Sequence, residues 1–230
     1  MGELRIAYLG PAGTFTEDAL REAAGELEFE PLRTATVHDA ILAVERGEAE
    51  RALVPFENSI EGSVRSTLDT LAFDAEGVTI VGEHDFSVRA NLIARGEIEA
   101  GDIEAVLSHP QPLAQCARFL RERLPQAERR AVSSTAEAVR LVSESELPWA
   151  AIGARAAAEL YGCTLLAEGI EDEANNVTRF VWIAPSGAEP AGGDRWKTSL
   201  VFAELGEDHP GALVDALREF SDRAVNLSRI

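Results

Sequence analysis

A chain of 230 residues is too long for one minimal core, and a hydrophobic content of 46% excludes global disorder. With 40 acidic residues against 21 basic ones the net charge is −19, which repels a phosphate backbone and excludes nucleic-acid binding as the main role. The chain opens without a charged-then-apolar leader and has no apolar run near the length of a membrane span, so a cytoplasmic protein without membrane contact is expected.

Short apolar runs alternate with amphipathic stretches from the start. Leu4–Leu9 predicts a strand, Phe15–Ala24 a helix, Val37–Arg46 a helix and Ala52–Pro55 a short strand. Glu61–Phe73 suits a helix, and Val78–Gly82, Phe86–Ala94 and Ile103–Ser108 suit strands. Further along come a helix at Pro112–Leu124, a strand at Ala131–Ser133 and a helix at Thr135–Glu144. Ala150–Ile152 reads as a strand, Ala154–Tyr161 as a helix closed by Gly162, and Val177–Ala184 as a strong strand. Such alternation predicts an α/β protein with parallel or mixed sheets flanked by helices. The Gly- and Pro-rich stretch Ser186–Asp194 reads as a linker. Beyond it lie a strand at Thr198–Ala203, a turn at Asp208-His209-Pro210-Gly211, a helix at Ala212–Arg223 and the start of a strand at Val225–Ile230. Those elements alone cannot close a core, so this unit is expected to be partial or completed by another chain.

Lys197 is the single lysine and all other basic residues are arginine; an acidic, lysine-poor surface suits a high-salt, halophile-like cytoplasm. Cys116 and Cys163 have no metal-ligand spacing and are expected to be reduced core thiols.

Several strand-to-helix joints carry capping residues. Thr14-Phe15-Thr16-Glu17 and Ser134-Thr135-Ala136-Glu137 fit capping boxes, and Ser108-His109-Pro110-Gln111-Pro112 and Asn58-Ser59 sit at similar joints. In open α/β sheets the carboxyl ends of strands line the ligand crevice, and free helix amides there bind carboxylates. An anion-binding cleft of hydroxyls, amides and backbone N–H groups is therefore expected, although each cap alone serves equally as a stability device. Gly10-Pro11-Ala12-Gly13 fits neither a dinucleotide fingerprint nor a P-loop. Thr178-Arg179-Phe180 opens an otherwise apolar strand; an arginine there needs either a salt bridge or a place at a cleft.

Four segments together resemble the prephenate dehydratase family: Gly10-Pro11-Ala12-Gly13-Thr14-Phe15-Thr16-Glu17; Val54-Pro55-Phe56-Glu57-Asn58-Ser59-Ile60-Glu61-Gly62; His109-Pro110-Gln111-Pro112-Leu113-Ala114-Gln115-Cys116; and Asn176-Val177-Thr178-Arg179-Phe180. They lie in the family's order and reach to about Ala184; Pro112 is a departure that a helix start tolerates. The segment from Thr198 through Gly211-Ala212-Leu213 to Asn226 resembles the start of an ACT regulatory domain, an α+β ferredoxin-like unit. The family's Glu-Ser-Arg-Pro segment would come after Ile230, so a partial ACT unit is implied.

The resemblance implies a two-lobed, type II periplasmic-binding-protein-like catalytic domain with its site between lobes. One lobe would combine 1–80 with 177–186 and the other hold 81–176, with a linker at 187–195 and the ACT-like unit at 196–230. The implied reaction is the decarboxylating dehydration of prephenate to phenylpyruvate in L-phenylalanine biosynthesis. It needs no metal or organic cofactor. Thr178 is the implied key group, its hydroxyl a positioned donor to the departing oxygen, with His109 as a candidate proton source behind it. Arg179 and helix amides near Thr14 or Ser59 are expected to bind the side-chain carboxylate, and Phe15 or Phe180 to shelter the ring carboxylate. By the same match Asn58 and Gln111 are substrate-binding candidates, and Gly211, Ala212, Leu213 and Asn226 belong to an effector site for L-phenylalanine if the ACT domain is complete. A homodimer or homotetramer is implied. The alternatives are arogenate dehydratase, which acts on the amino analogue, a non-catalytic small-anion binding protein of the same fold, and a purely regulatory amino-acid sensor.

Overall fold

The computed structural model describes residues 4–173, 175–190, 192, 196–202 and 209–227. The chain divides into two units, Met1–Ala191 and Gly192–Ile230. In the first unit the elements run β1 (Arg5–Leu9), α1 (Phe15–Ala24), β2 (Glu30–Thr34), α2 (Val37–Glu45), β3 (Arg51–Asn58), β4 (Gly62–Ser63), α3 (Arg65–Asp69) and β5 (Val78–Ser87). They continue with β6 (Asn91–Ala94), β7 (Ala105–Ser108), α4 (Pro110–Gln115), α5 (Ala117–Arg123) and β8 (Glu128–Ala131). The last are α6 (Thr135–Glu144), β9 (Trp149–Gly153), α7 (Arg155–Tyr161), β10 (Thr164–Glu168) and β11 (Val177–Pro185).

Two mixed sheets result. The first has the order β2-β1-β3-β11-β5, with β4 on β3; the second has the order β10-β6-β9-β7-β8. β1 runs parallel to β2 and β3, while β11 lies antiparallel between β3 and β5. Alternation along the strands sends side chains to both faces, and each face has its own core. In the first sheet Ile6, Tyr8, Leu53 and Phe180 meet Ala19 and Leu20 of α1, while Ala7, Val54, Val181 and Ile183 meet Ile41 and Val44 of α2. In the second, Ile93, Leu107 and Ala151 pack on α6 and α7, and Leu92, Val106 and Ile152 pack on α4 and α5. Each fully buried Leu or Ile contributes about 1.5–3 kcal/mol to holding a layer in place.

The chain crosses between the sheets twice, and the crossings are bonded to each other. Val88 N donates to Asn176 O at 2.9 Å and Ile170 N to Ala90 O at 2.9 Å. The buried Glu171 carboxylate accepts from Ala90 N at 3.0 Å and from Arg89 Nη1 at 3.1 Å. Two sheets joined by a paired double crossing form the two-lobed, type II arrangement that the motifs imply.

Several elements differ from expectation. β5 is continuous to Ser87, so the first sheet extends past the expected boundary at residue 80, and the expected strand Phe86–Ala94 is broken at the crossing. The expected helix Glu61–Phe73 starts late, because Gly62 and Ser63 turn back to pair with Asn58 and Glu57. After α3 it widens into a π turn over Thr70–Asp74. The expected helix Pro112–Leu124 breaks at Cys116, where the return crossing intrudes: Asp172 N donates to Gln115 O at 2.7 Å, and its carboxylate accepts from Arg118 N at 2.8 Å. β2 and β10 are additional strands, both at sheet edges.

In the second unit α8 (Ala212–Asp222) follows Gly211, whose φ of 105° suits glycine alone. Residues 198–202 and 225–227 form no strand, contrary to expectation, and Ala203, Asp208 and 228–230 lie outside the described residues. Among the described residues no helix is long and apolar enough to cross a membrane.

Candidate active site

The site begins with a β-bulge. Phe180 of β11 faces Pro55 of β3, but the preceding Arg179 faces Glu57, so Phe56 is an extra residue on β3. The bulge reverses the alternation at the end of β3. Asn58 therefore lies opposite Thr178 on the α1 face, the face that carries Phe86 and Phe180. Glu57 instead joins Arg179 on the α2 face.

The Asn58 amide has one possible orientation. Its Oδ1 accepts from Ile60 N at 2.9 Å and Glu61 N at 3.1 Å, so Nδ2 is fixed as the donor. Nδ2 donates to Asn176 Oδ1 and to Thr178 Oγ1, both at 2.8 Å. Thr178 Oγ1 thus accepts, and among the described residues it has no other partner, which leaves its own proton to donate. Asn176 Nδ2 in turn donates to Gln115 Oε1 of α4 at 3.4 Å. An uncharged chain, Gln115–Asn176–Asn58–Thr178, therefore spans from the second sheet to the first. Gln115 and Asn176 were not expected as site residues, although both sit inside the matching segments.

The other candidates are distributed unevenly. Ser59 lies at the same joint, but Oγ donates to Asn175 O at 2.8 Å and accepts from Val177 N at 3.0 Å. It stitches β3 to β11; the amides after it serve Asn58, and no helix starts there, so the expected carboxylate site near Ser59 is not formed. Thr14 stands at the N-cap of α1, yet its hydroxyl donates to Pro11 O at 3.1 Å and caps nothing. Glu17 reaches back one residue further than a capping box requires, accepting from Gly13 N at 2.8 Å, Tyr8 OH at 3.1 Å and Arg21 at 2.7 Å. The amides of Phe15 and Thr16 have no partner among the described residues. The Phe15 ring is half-buried against the α1-side core.

Phe180 is 3% exposed and packs edge-on against Phe86 at 6.3 Å, so it belongs to the core and does not line a pocket, contrary to expectation. Arg179 is likewise turned from Thr178: its guanidinium lies 3.7 Å from buried Glu57, 3.5 Å from Glu83 and 4.9 Å over Phe56. It takes the structural salt-bridge role, with the bulge supplying its partner. His109 caps α4, its Nδ1 accepting from Gln111 N at 3.4 Å, and no hydrogen bond joins it to Thr178. Gln111 sits in the first turn of α4, half-buried. Ser134 caps α6 as expected, accepting from Glu137 N at 3.0 Å. Cys116 is fully buried, and burial pushes its thiol up to about 12, which keeps it protonated and inert. Gly211, Ala212, Leu213 and Asn226 lie in the second unit, at the start of α8 and beyond its end.

A model of the prephenate dehydratase family matches residues 6–188. The bifunctional chorismate mutase/prephenate dehydratase of Neisseria gonorrhoeae is 41% identical over 227 residues, covering 98% of this chain and 61% of the relative. The prephenate dehydratase of Mycobacterium marinum is 39% identical over 236 residues, covering 98% of this chain and 73% of the relative. Among solved structures, prephenate dehydratase from Arthrobacter aurescens in complex with L-Phe superposes with a TM-score of 0.83 at 36% identity, covering 99% of this chain and 75% of that one. The chain thus spans less than two thirds of the gonococcal relative's length.

Proposed function

Because the chain belongs to the prephenate dehydratase family, we propose that it converts prephenate to phenylpyruvate, water and carbon dioxide, as a carbon–oxygen lyase. One observation carries the mechanism: Asn58 Nδ2 donates to Thr178 Oγ1, which leaves the proton of this buried hydroxyl to be donated to another group. In the reaction the bond from ring carbon to carboxylate breaks and releases carbon dioxide. Its electron pair enters the ring, and the ring C–O bond breaks with its pair going to the departing hydroxide. A hydrogen bond from Thr178 to that oxygen strengthens as charge develops. A preorganised donor of this kind is worth about 2.7–4 kcal/mol. The proton that completes water comes from solvent, because a threonine is too weak an acid to be consumed in the step.

The absence of charge in the Gln115–Asn176–Asn58–Thr178 chain suits this chemistry. A fixed cation against the ring carboxylate would stabilise the charged ground state more than the transition state. The side-chain carboxylate keeps its charge throughout, and the amides of Phe15 and Thr16 at the positive end of α1 are its proposed seat. On this reading the protein works in the cytoplasm as a homodimer or homotetramer. The second unit is then a partial ACT-like unit, with L-phenylalanine as an effector if the ACT domain is complete.

The test is direct. Purified protein incubated with prephenate should form phenylpyruvate, followed by its ultraviolet absorbance, far faster than the acid-promoted background. Recovery of unchanged prephenate would mark a binding protein, and faster turnover of the amino analogue would mark an arogenate dehydratase.

A further inference from the structure

α1 packs on the first sheet and α7 on the second, yet α1 and the turn before it meet α7 at three points. Gly13, at φ 77°, approaches so closely that a Cβ there would lie 3.0 Å from Ala157 Cα and 3.1 Å from Ala157 Cβ. Asp18 Oδ1 accepts from Ala156 N at 3.1 Å. Arg21 Nη1 lies 3.4 Å from Glu159 Oε2. The central contact answers a local deficiency. The N-cap of α7 is Ala154, which has no side-chain acceptor, so the first turn of α7 exposes amides that its own sequence cannot satisfy. Asp18 supplies that acceptor from the other sheet, 138 residues away in sequence. Burial pushes its carboxyl up to about 6 against the pull of the Ala156 amide and Arg21, so the group has given up solvent for this contact.

We propose that Asp18 is the clasp of the cleft, a positioning residue whose bond to α7 fixes the separation at which a substrate meets groups from both sheets. Breaking the clasp lets the lobes part, and substrate must then supply the closing free energy. Apparent affinity falls while the chemistry of the closed complex persists. Only the kinetic arm of this inference rests on the dehydratase reading.

The experiment places spin labels at Leu27→Cys and Leu147→Cys, exposed positions on the two sides, in a Cys163→Ser background, and measures the distance distribution by pulsed electron paramagnetic resonance. The parent and D18N, whose amide oxygen still accepts from Ala156 N, should give one narrow distribution; D18A should give a longer and broader one. With prephenate as substrate, D18A should raise KM roughly tenfold with kcat within about threefold, and D18N should restore both. A D18A distribution superimposable on the parent's overturns the proposal whatever the kinetics show. Absence of dehydratase activity in the parent would sink the functional reading and leave the distance result standing. If D18A does not fold, D18S, whose side chain is too short to reach the amide, carries the same readout.

Discussion

Replacing Thr178 by valine removes a hydroxyl and leaves a side chain of nearly the same shape. Two consequences can be separated from the geometry. For stability, Asn58 Nδ2 loses one of its two acceptors and keeps Asn176 Oδ1 at 2.8 Å, so the fold should lose only about 1 kcal/mol. For catalysis, the lost group is the proposed donor to the departing oxygen, a loss of about 2.7–4 kcal/mol in the transition state, which should lower kcat roughly 10²–10³-fold. Because that bond strengthens only as the C–O bond breaks, KM should stay within about twofold. T178S retains the oxygen and should keep kcat within about tenfold of the parent. The assay is initial-rate phenylpyruvate formation, with thermal unfolding recorded in parallel. A T178V enzyme with kcat within about threefold of the parent would refute the donor role.

Arg179 should behave as a structural residue: R179A strips a partner from buried Glu57 and should cost about 1–3 kcal/mol of stability while KM for prephenate stays within about twofold. A large rise in KM at unchanged melting temperature would return Arg179 to the substrate. Burial lifts the Asp18 carboxyl from 3.8 to about 6, with the amides of Ala156 and Arg155 and the charge of Arg21 pulling it down and Glu159 pushing it further up. A folded value above the unfolded one means that the neutral acid is favoured. The stabilisation is complete below 3.8 and is lost as pH rises through about 6. D18N, neutral at every pH, should therefore melt above the parent near about pH 8 and level with it near about pH 4, whereas equal melting at both would mean that the carboxyl is not desolvated.

The central elements were legible because their apolar periodicity is strong. α1 and α6 match the expected ranges, and the run Phe180-Val181-Trp182-Ile183 marks β11, an interior strand of its sheet. Two of the edge strands, β2 and β10, are not legible. β2 is Glu-Pro-Leu-Arg-Thr with no fully buried residue, and β10 is half-buried over Thr164–Ala167 and exposed at Glu168, so neither carries a strong apolar alternation. Glu83-His84-Asp85 interrupts the apolar run of β5, so the sequence predicts two strands there, although antiparallel pairing with β11 continues through those residues. For the candidate site, the motifs mark segments that the structure brings together but not the faces on which their side chains lie. Asn58, Thr178 and Arg179 all lie in matching segments, yet which of them share a face depends on the single extra residue at Phe56. A bulge is a property of the pairing between two strands 120 or so positions apart and leaves no trace in either strand alone.

The position of β11 has a consequence for the order in which the molecule can be built. The strands of the second sheet all lie between the two crossings, so that lobe can close as soon as Glu168 has left the ribosome. The first lobe cannot. β1, β2 and β3 can pair early, but one side of β3 and the partner edge of β5 remain open until the segment 177–185 arrives to fill the gap between them. During that interval a nascent chain carries two bare strand edges, which makes the late arrival of β11 the step at which misassembly between neighbouring chains competes with folding. The segment that closes the sheet also carries Thr178 near its start, so the polar chain between the two sheets is completed in the same event that completes the fold.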